Sequence, residues 1–307
     1  MALSSVVNAI VAKGTIADAD VTALRRCHAD SKLSKQDASR LFEINSACPS
    51  HPPAWAQFFT EVLSYFVVHQ MRPVGHVDEI NAEWLVTHID TDGRVESPNE
   101  LELLIRILEQ AKSVPPSLNL YALNQVKQAV LTGKGVTRTG KNQQAGVVTG
   151  SDVETLRRIL YAYDSDDNIG ITADEAGLLF DINDATTNAD NHPSWNVLFA
   201  QAIASHLLTA QGHIGRDRET ALRHEKWLDV KPAGDRFLNT MVKGLRDIYK
   251  VSGSTEGRKA NIKANWLTAR INKDGQITAA ERAVLTFIKQ ESPDIGPVLR
   301  PLLDLVA

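Results

Sequence analysis

Val21-Thr22-Ala23-Leu24-Arg25-Arg26 returns further along the chain as Val153-Glu154-Thr155-Leu156-Arg157-Arg158, and Trp84-Leu85 ahead of Asp92-Gly93 returns as Trp266-Leu267 ahead of Asp274-Gly275. The residues around these copies keep helical apolar spacing. Val21 and Leu24 are followed by Leu33-Ser34, then Asp37, then Leu41, Phe42 and Ile44. Their counterparts are Ile171-Thr172, then Glu175, then Leu178, Leu179, Phe180 and Ile182. Self-similarity of this kind speaks about architecture before chemistry. The copies lie 132 residues apart at Leu24 and Leu156 and 138 apart at Leu41 and Leu179, so one loop, at 164–170, is longer by six residues.

The match continues through His51-Pro52-Pro53-Ala54-Trp55 and His192-Pro193-Ser194-Trp195, each leading into an apolar helix through Phe58-Phe59 or Leu198-Phe199. Proline suits a first helical turn, where its missing N–H costs nothing. Asn8-Ala9-Ile10-Val11-Ala12-Lys13-Gly14 likewise resembles Gln128-Ala129-Val130-Leu131-Thr132-Gly133. The expected fold is all-α, with tandem duplicated helical units. The first unit, 1–132, carries degenerate loops. A Gly-rich linker, 133–150, follows, and the second unit, 151–307, has inserted helices at about 213–260. Four of the five tryptophans fall at duplicated positions and read as core anchors.

Composition excludes several classes. The 307 residues are 43% apolar and 23% charged, which is globular rather than disordered. A net charge of -4 gives no broad electrostatic footprint for nucleic acid. Cys27 and Cys48 form no metal or redox motif, so a reducing, cytoplasmic setting is expected. The apolar start, Met1 to Ala12, lacks the basic region of a signal peptide and reads as part of the fold. No apolar run reaches membrane-spanning length. No phosphate loop, dinucleotide fingerprint or Gly-x-Ser-x-Gly elbow is present, so no enzyme is expected.

The loops are where chemistry is expected. Calcium takes six to eight hard oxygens, and a helix-loop-helix supplies them from loop positions one, three, five, seven, nine and twelve. Asp164, Asp166, Asn168, Gly170, Thr172 and Glu175 fall at those positions, with Ile171 at position eight. The stretch resembles an EF-hand, which implies Ca2+ held by these residues and a sensor or interaction role toward a protein partner. Ile169 departs from the motif at position six, where the chain turns with positive φ and glycine is expected.

The other loops look like relatives with ligands removed. Residues 270–281 keep Gly275, Ile277 and Glu281 but open on Arg270, expected to pair with Asp274 or Glu281. Residues 88–100 open on His88, and the loop from Asp30 to Asp37 is too short to surround a cation. A different reading stands beside this one. Ser97-x-x-Glu100, Thr172-x-x-Glu175 and Thr278-x-x-Glu281 are capping boxes that start helices without a metal. Asp-Gly-x-[Val/Ile]-[Ser/Thr]-x-x-Glu is also similar to the loop of tellurite-resistance TerB-like helical domains, which implies a metal-free scaffold or adaptor. His69 with His76, and His206 with His213, lack the i, i+4 spacing of a helical zinc pair.

Overall fold

The structure, a computed structural model, describes residues 3–28, 32–138, 144–162, 171–209, 255–271, 273, 277–291 and 299–304. Among them it is all-α apart from one two-residue ribbon, as expected. No helix among them is long and apolar enough to cross a membrane. The chain divides into two compact units, Met1–Gln125 with Lys134–Thr139, and Val126–Gly133 with Gly140–Ala307.

The first unit holds α1 (Leu3–Lys13), α2 (Asp18–His28), α3 (Lys35–Ala47), α4 (Pro53–Tyr65), a π-helical turn (Phe66–Gln70) and α5 (Glu79–Ile89). The ribbon β1 (Asp90–Thr91) and β2 (Arg94–Val95), α6 (Pro98–Gln110) and the start of α7 (Pro116–Thr132) complete it. Trp55, Phe58, Phe59, Val62 and Leu63 give α4 an apolar stripe at i, i+3, i+4, i+7 and i+8, and α4 lays it mainly against α6. Pro53 and Pro98 sit in the first turns of α4 and α6. Phe42 meets Phe59 edge-on at 5.4 Å and Trp84 at 6.1 Å, tying α3, α4 and α5 together.

The second unit takes in the end of α7, then α8 (Gly150–Leu160), α9 (Ala173–Ala185), α10 (Ser194–Thr209), α11 (Thr255–Ile271), α12 (Ala279–Glu291) and α13 (Arg300–Leu303). Here α10 packs chiefly on α12. Phe180 meets Phe199 at 5.0 Å and Trp266 at 5.6 Å, both edge-on. The inserted helices expected at 213–260 lie outside the described residues up to 254, and 255–260 form the first turns of α11. In the expected linker, Arg138 is buried and its backbone N–H closes a turn onto the Gly135 carbonyl.

The two tryptophans that precede an Asp-Gly pair in the sequence have different ring neighbours. Phe66 packs against Trp84 at 5.7 Å, whereas in the second unit His206 packs against Trp266 at 4.8 Å. The His206 ring is buried and its Nδ1 donates to the Ile171 carbonyl at 2.8 Å, while the Lys263 ammonium donates to the His206 carbonyl. Burial pushes the imidazole down to about 4 and the Lys263 amine down to about 8.

An unfolded chain takes up the imidazole proton near the ordinary value of 6.5, while the folded one resists until about 4, so stability is lost as the pH falls through that window. Wild type is expected to lose about 2–3 kcal/mol more than His206→Phe between pH 7 and pH 4.5. Urea unfolding of both proteins at the two pH values measures the difference.

Candidate functional site

The loop at 88–100 is described throughout, and it is built as a hairpin and a helix cap. His88 lies in the last turn of α5, with Nδ1 2.8 Å from the Trp84 carbonyl and Nε2 2.8 Å from Ser39 Oγ. A carbonyl only accepts, so Nδ1 is the donor to Trp84, and the single hydroxyl proton of Ser39 is shared between Nε2 and the Lys35 carbonyl at 3.0 Å. Neither nitrogen is left for a cation. Asp92 and Gly93 have φ of +53° and +81°, which gives the two-residue turn favoured between antiparallel strands. Asp90 pairs with Val95 across the ribbon. Its Oδ1 accepts from Gly93 N at 2.8 Å and its Oδ2 from the Tyr121 hydroxyl at 2.8 Å. Burial and the neighbouring Asp90 carboxylate raise the Tyr121 pKa, keeping it a donor.

Glu100, one residue past loop position twelve, closes a capping box. Ser97 Oγ accepts from Glu100 N at 3.2 Å, and Glu100 Oε2 accepts from Ser97 N at 3.2 Å. Asn45, buried in α3, reaches this cap. Its Nδ2 donates to Ser97 Oγ and Glu100 Oε1, both at 2.9 Å. Its Oδ1 accepts from Trp55 Nε1 at 3.2 Å and Asn99 Nδ2 at 2.9 Å, so all four of its hydrogen-bonding positions are used. Burial raises the Glu100 carboxyl above its usual range, against the bonds from Asn45 and Ser97 that favour the ionised form. His51 does not cap α4. Its Nε2 accepts from Asn99 at 2.9 Å, and Pro52 holds the cap position.

At 164–175, Asp164, Asp166, Asn168 and Gly170 lie outside the described residues. Thr172 is the N-cap of α9. Its Oγ1 accepts from Glu175 N at 3.3 Å, and Glu175 Oε2 accepts from Thr172 N at 2.8 Å. The segment entering this cap is held by the His206 bond to Ile171.

At 270–281, Thr278 and Glu281 exchange the same pair of bonds at 2.8 and 3.2 Å, and Asn183 Nδ2 donates to Thr278 Oγ1 at 3.0 Å. Asp274 and Gly275 are outside the described residues. Arg270 bonds Asp181 at 3.3 Å with its guanidinium 5.9 Å from the Phe180 ring, which gives it a different described partner from the expected Asp274 or Glu281. Burial works against the ionised Asp181, yet Lys127 at 2.8 Å and Arg270 hold its carboxyl below the usual range. Ser34 caps α3 by accepting from Asp37 N at 3.1 Å.

His69 is in tilted ring contact with Tyr65, and His76 Nδ1 lies 2.6 Å from Ser113 Oγ, so the two are spent separately. Among the described residues no three His, Cys, Asp or Glu side chains are grouped to hold a metal. The asparagines escaped the motif reading although a signal for them existed: Ile44-Asn45 recurs as Ile182-Asn183 inside the repeated helix.

Asn45→Ala strands the indole N–H and the buried Glu100 carboxylate oxygen together and is expected to cost about 3 kcal/mol, with Asn183→Ala costing about 1–2 kcal/mol. Denaturant unfolding of the two variants ranks them. No family model matches this chain, and neither the curated proteins nor the solved structures contain a match to it.

Proposed function

We propose that this chain is a non-enzymatic helical scaffold that binds a protein partner, its Asp-Gly loops serving as turn and cap devices rather than cation cradles. One observation carries the reading: the closing glutamates Glu100, Glu175 and Glu281 each accept from the backbone N–H of their own N-cap residue. A carboxylate oxygen engaged this way already does stabilising work at the positive end of a helix. In the first unit Asn45 takes the other Glu100 oxygen as well, and both Asp90 oxygens have protein donors.

The partner surface in this reading includes the modestly basic stretch 213–260, and the setting is cytoplasmic. Removing 213–260 is expected to abolish partner capture while the first unit keeps its unfolding transition.

Calcium at Asp164, Asp166, Asn168, Gly170, Thr172 and Glu175 is the second reading. Its support is the spelling of the loop, in which Asp164, Asp166 and Asn168 stand at positions one, three and five ahead of Thr172 and Glu175 at nine and twelve. A cation there would join α8 to α9 and act as a switch on their angle.

Calcium titration of the metal-stripped full chain separates the two. The scaffold reading expects no heat of binding and an unchanged melting temperature. A saturable rise in melting temperature, lost in Glu175→Gln, would overturn it in favour of calcium.

A further inference from the structure

We propose that the groove between α2 and α4 of the first unit docks a peptide segment in which a bulky apolar side chain sits beside carboxylates. The inference rests on the scaffold reading and supplies one docking surface for it. The groove encloses ≈ 280 Å³ and is lined by Arg25, His28, Phe58, Glu61, Val62 and Tyr65. That is below the size of most drug-like ligand sites and suits one large side chain.

Its floor is apolar, because Phe58 and Val62 face into the core. Tyr65 forms a wall that leaves 53% of its surface in solvent, its ring in tilted contact with His69 at 5.1 Å. Aromatic surface held rigidly beside an apolar floor is the usual anchor chemistry of a protein interface. The backbone widens into the π-helical turn immediately after Tyr65, a feature frequent at functional sites.

Charge decides the occupant. The last turn of α2 brings Arg25 and His28 to the rim. Glu61 is the one acidic side chain lining the groove. It tethers Arg25 at 3.2 Å, and the guanidinium lies 5.4 Å over the Phe58 ring. This fixes a cation directly above the apolar floor with its side chain still 44% exposed. An acidic segment complements that rim, and a basic one meets like charge.

The second unit argues that the groove is not a packing requirement. In the frame set by Arg25 with Arg157 and by Trp55 with Trp195, its residues are Leu160, Leu198, Gln201, Ala202 and Ser205. They replace His28, Phe58, Glu61, Val62 and Tyr65. There α8 packs on α10 with no aromatic residue at the Tyr65 position, and Arg157 pairs with Glu154 of its own helix at 3.2 Å.

The test is a titration of the ¹⁵N-labelled full chain, in chelator-containing buffer, with the peptide acetyl-Asp-Trp-Asp-amide. Saturable shifts confined to the amides of 25–28 and 58–65 are expected. Arg25→Ala is expected to weaken binding about tenfold and Tyr65→Ser about fivefold. Tyr65→Ser installs the residue found at the matching position of the other unit, so it keeps the test interpretable if Arg25→Ala loosens α2. Acetyl-Lys-Trp-Lys-amide is expected to give no saturable shift. Absence of shifts with the acidic peptide, shifts elsewhere, equal binding of the basic peptide, or unchanged affinity in both variants would each overturn the proposal. Because calcium is excluded from this experiment, its failure is distinct from a failure of the scaffold reading, which the calcium titration decides.

Discussion

A buried asparagine gripping the first turn of a neighbouring helix is the interaction on which this architecture depends. A helix N-terminus leaves backbone donors without intrahelical partners, and burying them unpaired is costly. In the first unit Ser97 and Glu100 satisfy those donors locally, and Asn45 then fastens the finished cap to α3. The same amide collects Trp55 and Asn99, so α3, α4 and α6 are held in one register by a single side chain. Apolar packing around it is not directional, whereas this node is. Asn183 makes the corresponding bond to Thr278 between α9 and α12.

The caps that open α6, α9 and α12 share their spelling with the end of a calcium loop. The Ser/Thr-x-x-Glu spacing serves a capping box and the end of a calcium loop equally well, since both place a glutamate one turn into a helix. What separates them is whether the carboxylate meets backbone donors or a dication. Asp90 shows how completely the first alternative can be met, with a turn N–H on one oxygen and a half-buried tyrosine on the other.

Much of the helical framework was legible in the sequence because it is written in spacing. The apolar rows of α2, α3, α4, α8 and α9, the proline opening α4, and the buried Trp55 and Trp195 follow from period and turn chemistry. Trp84 and Trp266, also expected in the core, are only half-buried. The loops were less legible because composition does not reveal partners. His88 looks like a first ligand until Ser39, far away in sequence, is found on its Nε2. Arg270 was expected to look within its own loop, yet it meets Asp181 on α9. In both cases the deciding neighbour comes from another helix, and neighbours of that kind emerge only from packing.

Positions that align in the sequence also carry paired residues. Ser39 receives His88 through a hydrogen bond, while in the second unit Gly177 leaves room for Arg270, whose Nη2 would lie 3.0 Å from any added Cβ. Neither member suits the other's partner. A serine at 177 would crowd the guanidinium, and a glycine at 39 would strip the imidazole of its hydroxyl. Each helix pair is therefore confined to a narrow mutational route: the smaller residue and the longer one must change together, or in an order that tolerates a poorly packed intermediate.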